Sequence, residues 1–248
     1  MDNPFLMQPE LRYGAPPCDE ILTNRFFTVG YSWYFRQAKW TLEIINRNNY
    51  LVGTVLTTGE RLNNFRADLR IPPRFRASLD DYVGSGYDRG HLVASANQRN
   101  QPIQNSETFL LSNMSPQKKD LNRELWKTLE EKVRDLNDME NILETYVLTA
   151  PVFYFNKVIE TIGKHDDLGI DIPIPHAFVK SVLAEDDNGR LKLWTFLMEN
   201  KELDGKIEDY LVKTYDVEQL VGGRFWDRIS GTDLHDQKGI ISEIWDYK

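Results

Sequence analysis

The chain has 248 residues, of which 41% are hydrophobic and 27% are charged, and its formal net charge is −8. This length and composition are those of an ordinary globular protein with room for a substantial core. No run of 18 uncharged apolar residues is present, which excludes a membrane-spanning helix, and the single cysteine, Cys18, excludes an intramolecular disulfide.

The N-terminal segment, MDNPFLMQPELRYGAPPCDE, lacks the basic start and apolar block of a signal peptide. We therefore expect no signal peptide in this chain. Its location stays open between the cytoplasm and delivery or export by a non-classical route.

The first half of the chain contains strand, loop and helix patterns in succession. FTVGYSWYFRQAKWTLEIINR (27–47) predicts two strands joined near residues 36–39, and the adjacent prolines of RIPPRFRA (70–77) predict a loop. TFLLSN (108–113) predicts a short buried strand, and SPQKKD (115–120) a turn. LNRELWKTLEEKVRDL (121–136) predicts one helix, whose apolar face carries Leu125, Trp126, Leu129, Val133 and Leu136.

The second half of the chain is dominated by buried-strand patterns. ETYVLTAPVFYF (144–155) and RLKLWTFLME (190–199) predict strands, and DIPIPHAFVKSVLAE (171–185) predicts another after a proline-bounded entry. VEQLVGGRFWDRI (217–229) predicts a short helix ended by glycine. With no internal repeat or linker, and no regular alternation of strands and helices, the pattern favours a single α+β domain over residues 1–248.

The stretch YDRGHLVASANQRN (87–100) places an acid, a base, a glycine and a histidine in succession. It is either a surface turn, in which Arg89 pairs with Asp88 and His91 is structural, or the start of an active site. Residues 61–134 hold 13 Lys/Arg and 9 Asp/Glu, against 17 and 29 elsewhere. This basic middle of an acidic chain indicates a localised anion-binding surface, unless the charges are simply scattered.

The predicted helix carries three further polar candidates for a site. On one continuous helix, Asn122 and Glu130 would lie roughly 12 Å apart and about 80° around the axis, so both could lean toward one pocket. The alternatives are ordinary: Asn122 or Asp120 caps the helix N-terminus, and Glu130 forms a solvated i,i+4 pair with Arg134.

Taken in order, YDRGHL and TFLLSNMSPQKKDLNRELWKTLEEKVRDL resemble the DNA/RNA non-specific endonuclease family, the ββα-metal nucleases. The similarity is strongest over 87–136, and weaker similarity runs from YGAPP near residue 13 to VEQLVGGRFW. The resemblance implies a central antiparallel β-sheet with flanking helices and a ββα-metal motif, also called the His-Me finger. One departure, TAPVF where relatives carry glycine before the proline, affects a turn.

The resemblance also implies a role for each matching residue. His91 would be the general base, Asn122 the only protein ligand of one Mg²⁺, and Glu130 would position the waters of that ion. The remaining implied residues act on phosphate or geometry: Arg89 and Arg134 would bind phosphate, and Asn113 would support the loop around the site. Further substrate-binding candidates are Arg61 and Arg66, which compete for the family's upstream arginine, and Arg123.

The chemistry of these residue types agrees with those roles. An imidazole with an ordinary pKa near 6.5 can be a neutral base at physiological pH. Mg²⁺ prefers oxygen ligands and keeps several waters, and Mn²⁺ or another divalent cation is an alternative. Because water attacks, no 2′-hydroxyl is needed, and phosphate contacts carry no sequence information. We therefore expect cleavage of both DNA and RNA, leaving 5′-phosphate and 3′-hydroxyl ends.

Two other functions stay open from the residues alone. One is a protein that binds DNA without cutting it, and the other is a metal-dependent phosphodiesterase for small nucleotides. The nuclease interpretation implies DNA and RNA as substrates and a controlling inhibitor or immunity protein. It also allows a homodimer and involves no membrane.

Overall fold

A six-stranded antiparallel sheet organises the molecule, in the strand order β1-β2-β3-β6-β9-β10. The computed structural model describes residues 8–45, 60–163, 171–229 and 232–245. The sheet strands are β1 (Glu20–Thr23), β2 (Phe27–Ser32), β3 (Gln37–Ile44), β6 (Ile142–Val152), β9 (Ala177–Asp186) and β10 (Leu191–Glu199). Two separate strand pairs are β4 (Asp88–His91) with β5 (Met114–Gln117), and β7 (Thr161–Ile162) with β8 (Ile172–Pro173).

Both faces of the sheet are covered, so its strands are buried on each side. The helices are α1 (Pro102–Thr108), α2 (Lys119–Arg123), α3 (Leu125–Asn137), α4 (Thr214–Val221) and α5 (Thr232–Lys238). One face packs against α3 through Trp126, Leu129, Val133 and Leu136. The opposite face packs against Val217 of α4 and the following Phe225 and Trp226.

Alternation along β3 sends its side chains to different cores. Trp40, Leu42 and Ile44 join the core under α4, so Thr41 and Glu43 face the side where α3 lies. Glu43 is 1% exposed, which makes it a buried acid on the sheet.

The β4–β5 pair stands outside the main sheet and leads into the helices. Its antiparallel register pairs Asp88 with Gln117 and His91 with Met114. Helix α2 follows β5 directly and packs against β4, and α3 comes next. The predicted α+β class, with a central antiparallel sheet, flanking helices and a ββα motif, is confirmed.

The strand prediction for residues 108–113 is wrong. Thr108 ends α1, and Leu111–Asn113 form a short 3₁₀ turn, while the strand lies at Met114–Gln117. The predicted turn therefore starts too early, because Ser115 to Gln117 belong to β5. A short apolar run reports burial without specifying conformation, and Phe109 and Leu111 are indeed buried.

The prediction of one helix over residues 121–136 is also wrong. The backbone at Glu124 has φ −115° and ψ −96°, which is not helical and separates α2 from α3. Asn122 and Glu130 therefore lie on different helices, and the spacing of roughly 12 Å derived from one continuous helix does not apply. Neither Asn122 nor Asp120 is the N-cap, because α2 starts after Lys118.

The other strand predictions are confirmed by β2, β3, β6, β9 and β10, although residues 46 and 47 of the first pattern lie outside the described residues. The predicted join near residues 36–39 is placed too late, because the turn covers residues 33–36 and β3 starts at Gln37. The glycine break after α4 is also confirmed, since Gly222 ends the helix with φ +63°. Among the described residues, no helix combines the length and the apolarity that crossing a membrane requires.

Candidate active site

The β4–β5 pair displays alternate residues of the DRGH stretch on opposite faces. Arg89 and His91 both contact Phe65, whereas Asp88 contacts α2 on the other face. Gly90 lies against β5, where an added Cβ would come within 2.3 Å of the Gln117 Oε1 atom and 2.6 Å of its Cβ. Glycine at this position therefore lets the two strands pair closely.

His91 lies in an aromatic pocket beside positive charge. Its ring meets Phe65 and Phe109 edge-on, with centroid distances of 5.6 and 5.0 Å. Burial, followed by the charges of Arg61 and Arg89, lowers the pKa of His91 to about 3. The imidazole is therefore neutral at physiological pH, and its buried Nε2 has no hydrogen-bond partner among the described residues.

Two of the predicted arginines lie over the same aromatic rings that enclose His91. The Arg89 guanidinium lies 4.2 Å from the Phe65 centroid, and that of Arg61 lies 5.4 Å from the Phe109 centroid. Burial and the nearby Arg99 lower the pKa of Arg61, while Glu130 opposes that shift. Clustered cations of this kind favour a bound anion.

Arg66, the other candidate for the upstream arginine, donates hydrogen bonds to backbone carbonyls of the protein itself. Its guanidinium donates to the Ser106 carbonyl at 2.8 Å and the Asn64 carbonyl at 3.3 Å. Its backbone bridges to Leu110. Between the two candidates, the contacts favour Arg61 as the one beside His91.

On the opposite face of β4, Asp88 holds the end of α2. It accepts from Asn122 Nδ2 at 3.0 Å and from Arg123 Nε and one terminal nitrogen at 2.9 and 3.0 Å. Burial opposes ionisation of Asp88, but Arg123 and Asn122 outweigh it and lower its pKa. The expected alternative of an Arg89–Asp88 pair is wrong, because Arg123 forms the ion pair with Asp88.

Because its amide nitrogen is bound to Asp88, Asn122 has its Oδ1 oxygen for another ligand. An amide oxygen is a ligand that Mg²⁺ accepts. Asp88 and His91 are three positions apart, which is roughly 10 Å along a strand. Among the described residues, no group of three or more His, Cys, Asp or Glu is placed to hold a metal. That Asn122 is the protein ligand of a hydrated ion stays a prediction.

Helix α3 supplies Glu130 and Arg134, which are partly buried rather than a solvated pair. Burial raises the pKa of Glu130 to about 7, against the opposing charges of Lys180 and Arg134. Arg134 donates a hydrogen bond to Asn97 Oδ1 at 3.0 Å. Glu130 raises the pKa of Arg61, and Arg61 in turn lowers the pKa of His91, so Arg61 lies near both groups.

Asn113 is fully buried and fixes the chain that follows His91. Its Oδ1 accepts the Val93 N–H at 2.9 Å, and its Nδ2 donates to the carbonyls of Val93 and Thr108 at 3.0 and 2.9 Å. The expected support of the loop geometry agrees with these contacts.

Several residues of this region were not predicted from the sequence. Phe65 and Phe109 enclose His91, Arg99 adds a cation with a buried, unpartnered Nε among the described residues, and Asn97 and Glu43 lie behind Arg134. The sequence gives one weak signal for them, which is the polar run ANQRN (96–100) directly after an apolar segment.

Comparisons with known proteins find similarity over most of the chain. Residues 10–231 match the family described as DNA/RNA non-specific endonuclease. The chain is 31% identical over 244 residues to a nuclease of Syncephalastrum racemosum, covering 91% of this chain and 73% of that protein. It is 32% identical over 217 residues to human mitochondrial endonuclease G, covering 85% and 71% of the two chains. Its fold is similar to EndoG in the crystal structure of an EndoG/EndoGI complex, with a TM-score of 0.80, 28% identity, and coverage of 93% and 94%.

Proposed function

The chain belongs to the DNA/RNA non-specific endonuclease family, and we propose that it is a Mg²⁺-dependent endonuclease in which His91 is the general base and Asn122 holds one ion. The observation that carries the proposal is the position of His91 against Phe65 and Phe109, the same two rings that the Arg89 and Arg61 guanidiniums contact. A neutral base beside cations that attract phosphate is what hydrolysis of a phosphodiester requires.

The attacking group is a water molecule. His91 accepts its proton, the hydroxide bonds to phosphorus, and the bond from phosphorus to the 3′ oxygen breaks. The departing 3′ oxygen takes a proton from water, and His91 then releases its proton to solvent. Arg89, Arg61 and Arg134 stabilise the negative charge on the phosphate oxygens, since each guanidinium offers a fixed set of donors. The products are a 5′-phosphate and a 3′-hydroxyl.

Asn122 is the residue proposed to hold the cation, since Asp88 binds its amide nitrogen and leaves its oxygen available. When bound, a divalent cation supplies Lewis-acid stabilisation of the departing oxygen. Glu130 orients water near this position when it is ionised. Mn²⁺ or another oxygen-preferring cation could substitute for Mg²⁺ at such a site.

We extend the proposal to substrates and partners. Phosphate-directed contacts carry no base information and water needs no 2′-hydroxyl, so DNA and RNA are both substrates. The solved relative is an EndoG complex described in terms of its inhibition. We propose that an inhibitor protein likewise controls this chain, and that a homodimer is its assembled form.

Digestion of plasmid DNA and of RNA, with Mg²⁺ or with EDTA, tests the proposal. His91→Ala should reduce kcat/KM on the order of 10²–10⁴-fold, the usual contribution of a general base. His176→Ala is the matched control, because the His176 ring binds the Tyr154 N–H and faces the Val158 carbonyl. Full activity in His91→Ala would remove His91 as the base, and activity in EDTA would remove the metal.

The ends of the products are tested on the same digests. A DNA ligase that requires a 5′-phosphate should join the fragments without prior kinase treatment. Fragments that join only after kinase treatment would contradict the proposed direction of bond cleavage.

A further inference from the structure

Glu43 of β3 is a buried carboxylate whose two oxygens are both engaged behind α3. Its Oε1 accepts from Asn97 Nδ2 at 2.9 Å, and its Oε2 accepts from Gln98 Nε2 at 3.0 Å. Glu43 is 1% exposed and Asn97 is 5% exposed. Burial raises the pKa of Glu43, while the amides of Gln98 and Asn97 and the charge of Lys180 oppose that shift. In this arrangement both carboxyl oxygens accept hydrogen bonds from amide donors.

Asn97 connects this carboxylate to the guanidinium of Arg134. Its Oδ1 accepts from an Arg134 terminal nitrogen at 3.0 Å, while its Nδ2 faces Glu43. Arg134 has donors only, so it must meet the Asn97 oxygen, and the Asn97 amide nitrogen then donates to an oxygen of Glu43. Glu43 therefore sets which end of the Asn97 amide Arg134 meets.

Lys180 acts on Glu43 through its charge and not through a hydrogen bond. Its Nζ donates to Thr149 Oγ1 at 2.9 Å and lies 4.7 Å from the centroid of the Trp126 ring. Its charge acts on Glu43, but its hydrogen bond goes to Thr149, so the amides of Asn97 and Gln98 are the bonded partners of Glu43. Packing alone does not explain why a carboxylate occupies this buried position. Burying a carboxylate costs free energy unless it is hydrogen-bonded.

We propose that Glu43 is a positioning residue for the reaction: through Asn97, it fixes the Arg134 guanidinium in the orientation that binds the scissile phosphate. This proposal rests on the proposed nuclease function. The chain Glu43–Asn97–Arg134 runs from the central sheet to helix α3. It therefore transfers the rigidity of the sheet to a side chain that must meet the phosphate in one geometry.

Glu43→Gln tests the proposal with little change of shape. The new amide can present a donor to Asn97, which lets the Asn97 amide turn its own donors toward Arg134 and lose that bond. We expect kcat/KM for DNA to fall about 10-fold, the lower end of the range for residues that orient a functional group. In an Arg134→Ala background, Glu43→Gln should cause no further loss, because the effect passes through Arg134.

A double variant provides the rescue. In Glu43→Gln with Asn97→Asp, the new Gln donates to the new carboxylate, which still accepts from Arg134. The net charge and the number of hydrogen bonds are kept, so activity should return toward that of the wild type. If Glu43→Gln lowered activity only by disturbing packing, adding Asn97→Asp would not restore activity through Arg134.

Gln98→Met is the matched control, because Gln98 binds the same carboxylate but is not part of the chain to Arg134. It should lower the melting temperature with a much smaller effect on kcat/KM. Wild-type activity in folded Glu43→Gln, or failure of the double variant to recover, would overturn the proposal. If Glu43→Gln does not fold, Asn97→Ala replaces it, and full activity in that variant would equally overturn the proposal.

The proposed function and the positioning role fail in different ways. A wild-type protein without nuclease activity contradicts the proposed function alone. The hydrogen bond between Arg134 and Asn97 can then be followed without turnover, by NMR of the Arg134 guanidinium in the wild type and in Glu43→Gln. An unchanged guanidinium spectrum would refute the positioning role independently of activity.

Discussion

Asn122 on α2 donates to Asp88 on β4, with Nδ2 and Oδ2 3.0 Å apart. The two residues are 34 positions apart in sequence, and the contact joins the first strand of the ββα motif to the helix that follows its second strand. Asp88 thereby determines which atom of the Asn122 amide is available for a ligand. An acid three positions before the proposed base, His91, thus acts on the proposed metal ligand.

Replacing Asp88 should therefore weaken metal binding. In Asp88→Asn the acceptor charge is lost and the Asn122 amide is no longer held in one orientation, so we expect Mg²⁺ affinity to fall about 10–100-fold. Calorimetric titration of Mg²⁺ into the protein measures this directly. Asp120→Asn, the same change on the exposed side of α2, is the control, and equal affinities for the two variants would contradict the role of Asp88.

The acid limb of the pH profile should belong to Glu130 rather than to His91. Burial raises the pKa of Glu130 to about 7, whereas the pKa of His91 is lowered to about 3. Below pH 7 the protonated Glu130 can no longer orient water as a carboxylate, so kcat/KM should fall there while His91 stays neutral. Glu130→Gln should show lower activity and no such limb, and a limb that persists in this variant would assign it to another group.

The same pKa predicts an opposite effect on stability. Glu130 binds a proton more tightly in the folded state than in the unfolded state, so the folded state loses stability as pH rises from the ordinary Glu value to about 7, and the loss is complete above that. Without metal, Glu130→Gln should raise the melting temperature relative to wild type more at pH 8 than at pH 5. Thermal unfolding at the two pH values measures the difference, and an equal effect at both would contradict the raised pKa.

The pKa of His91 should rise when phosphate binds. Burial is its main cause of depression, but Arg61 and Arg89 also contribute, and a bound phosphodiester anion would neutralise both. The imidazole then becomes a stronger base only when the substrate is present. NMR titration of His91, with and without a non-cleavable oligonucleotide, measures the shift, and a further decrease on binding would contradict it.

The sequence predicted most of the sheet, because buried strands leave local patterns. It also indicated the candidate site residues, whose roles stay predictions. Strands such as β9 and β10 are long apolar runs with no competing interpretation. The DRGH stretch was recognisable because its residue types and order resemble those of a nuclease family. Residue types alone could not give the partners of Asp88 or Arg89.

The errors share a physical origin in long-range contacts. The break at Glu124 separates two helices that periodicity joins, and no glycine or proline marks it. The roles of Phe65 and Glu43 depend on loops and strands that meet only in the folded chain. The choice between Arg61 and Arg66 likewise needed the position of Phe109, which lies more than forty residues later in the sequence.

Gly90→Ala provides the sharpest test of why the DRGH stretch contains glycine. The added methyl would come within 2.3 Å of Gln117 Oε1 and 2.6 Å of its Cβ, so β5 must move away from β4. We expect a loss of about 1–3 kcal/mol in unfolding free energy, as for other overpacked sites. Activity should fall by more than the loss of folded protein explains, because separating β5 from β4 displaces the strand pair that positions Arg89 and His91. Gly239→Ala is the control, since its Cβ would meet nothing closer than 3.4 Å. Denaturant unfolding and kcat/KM of the folded protein are measured for both variants. If Gly90→Ala is as stable and as active as Gly239→Ala, close pairing of β4 and β5 does not position the proposed base.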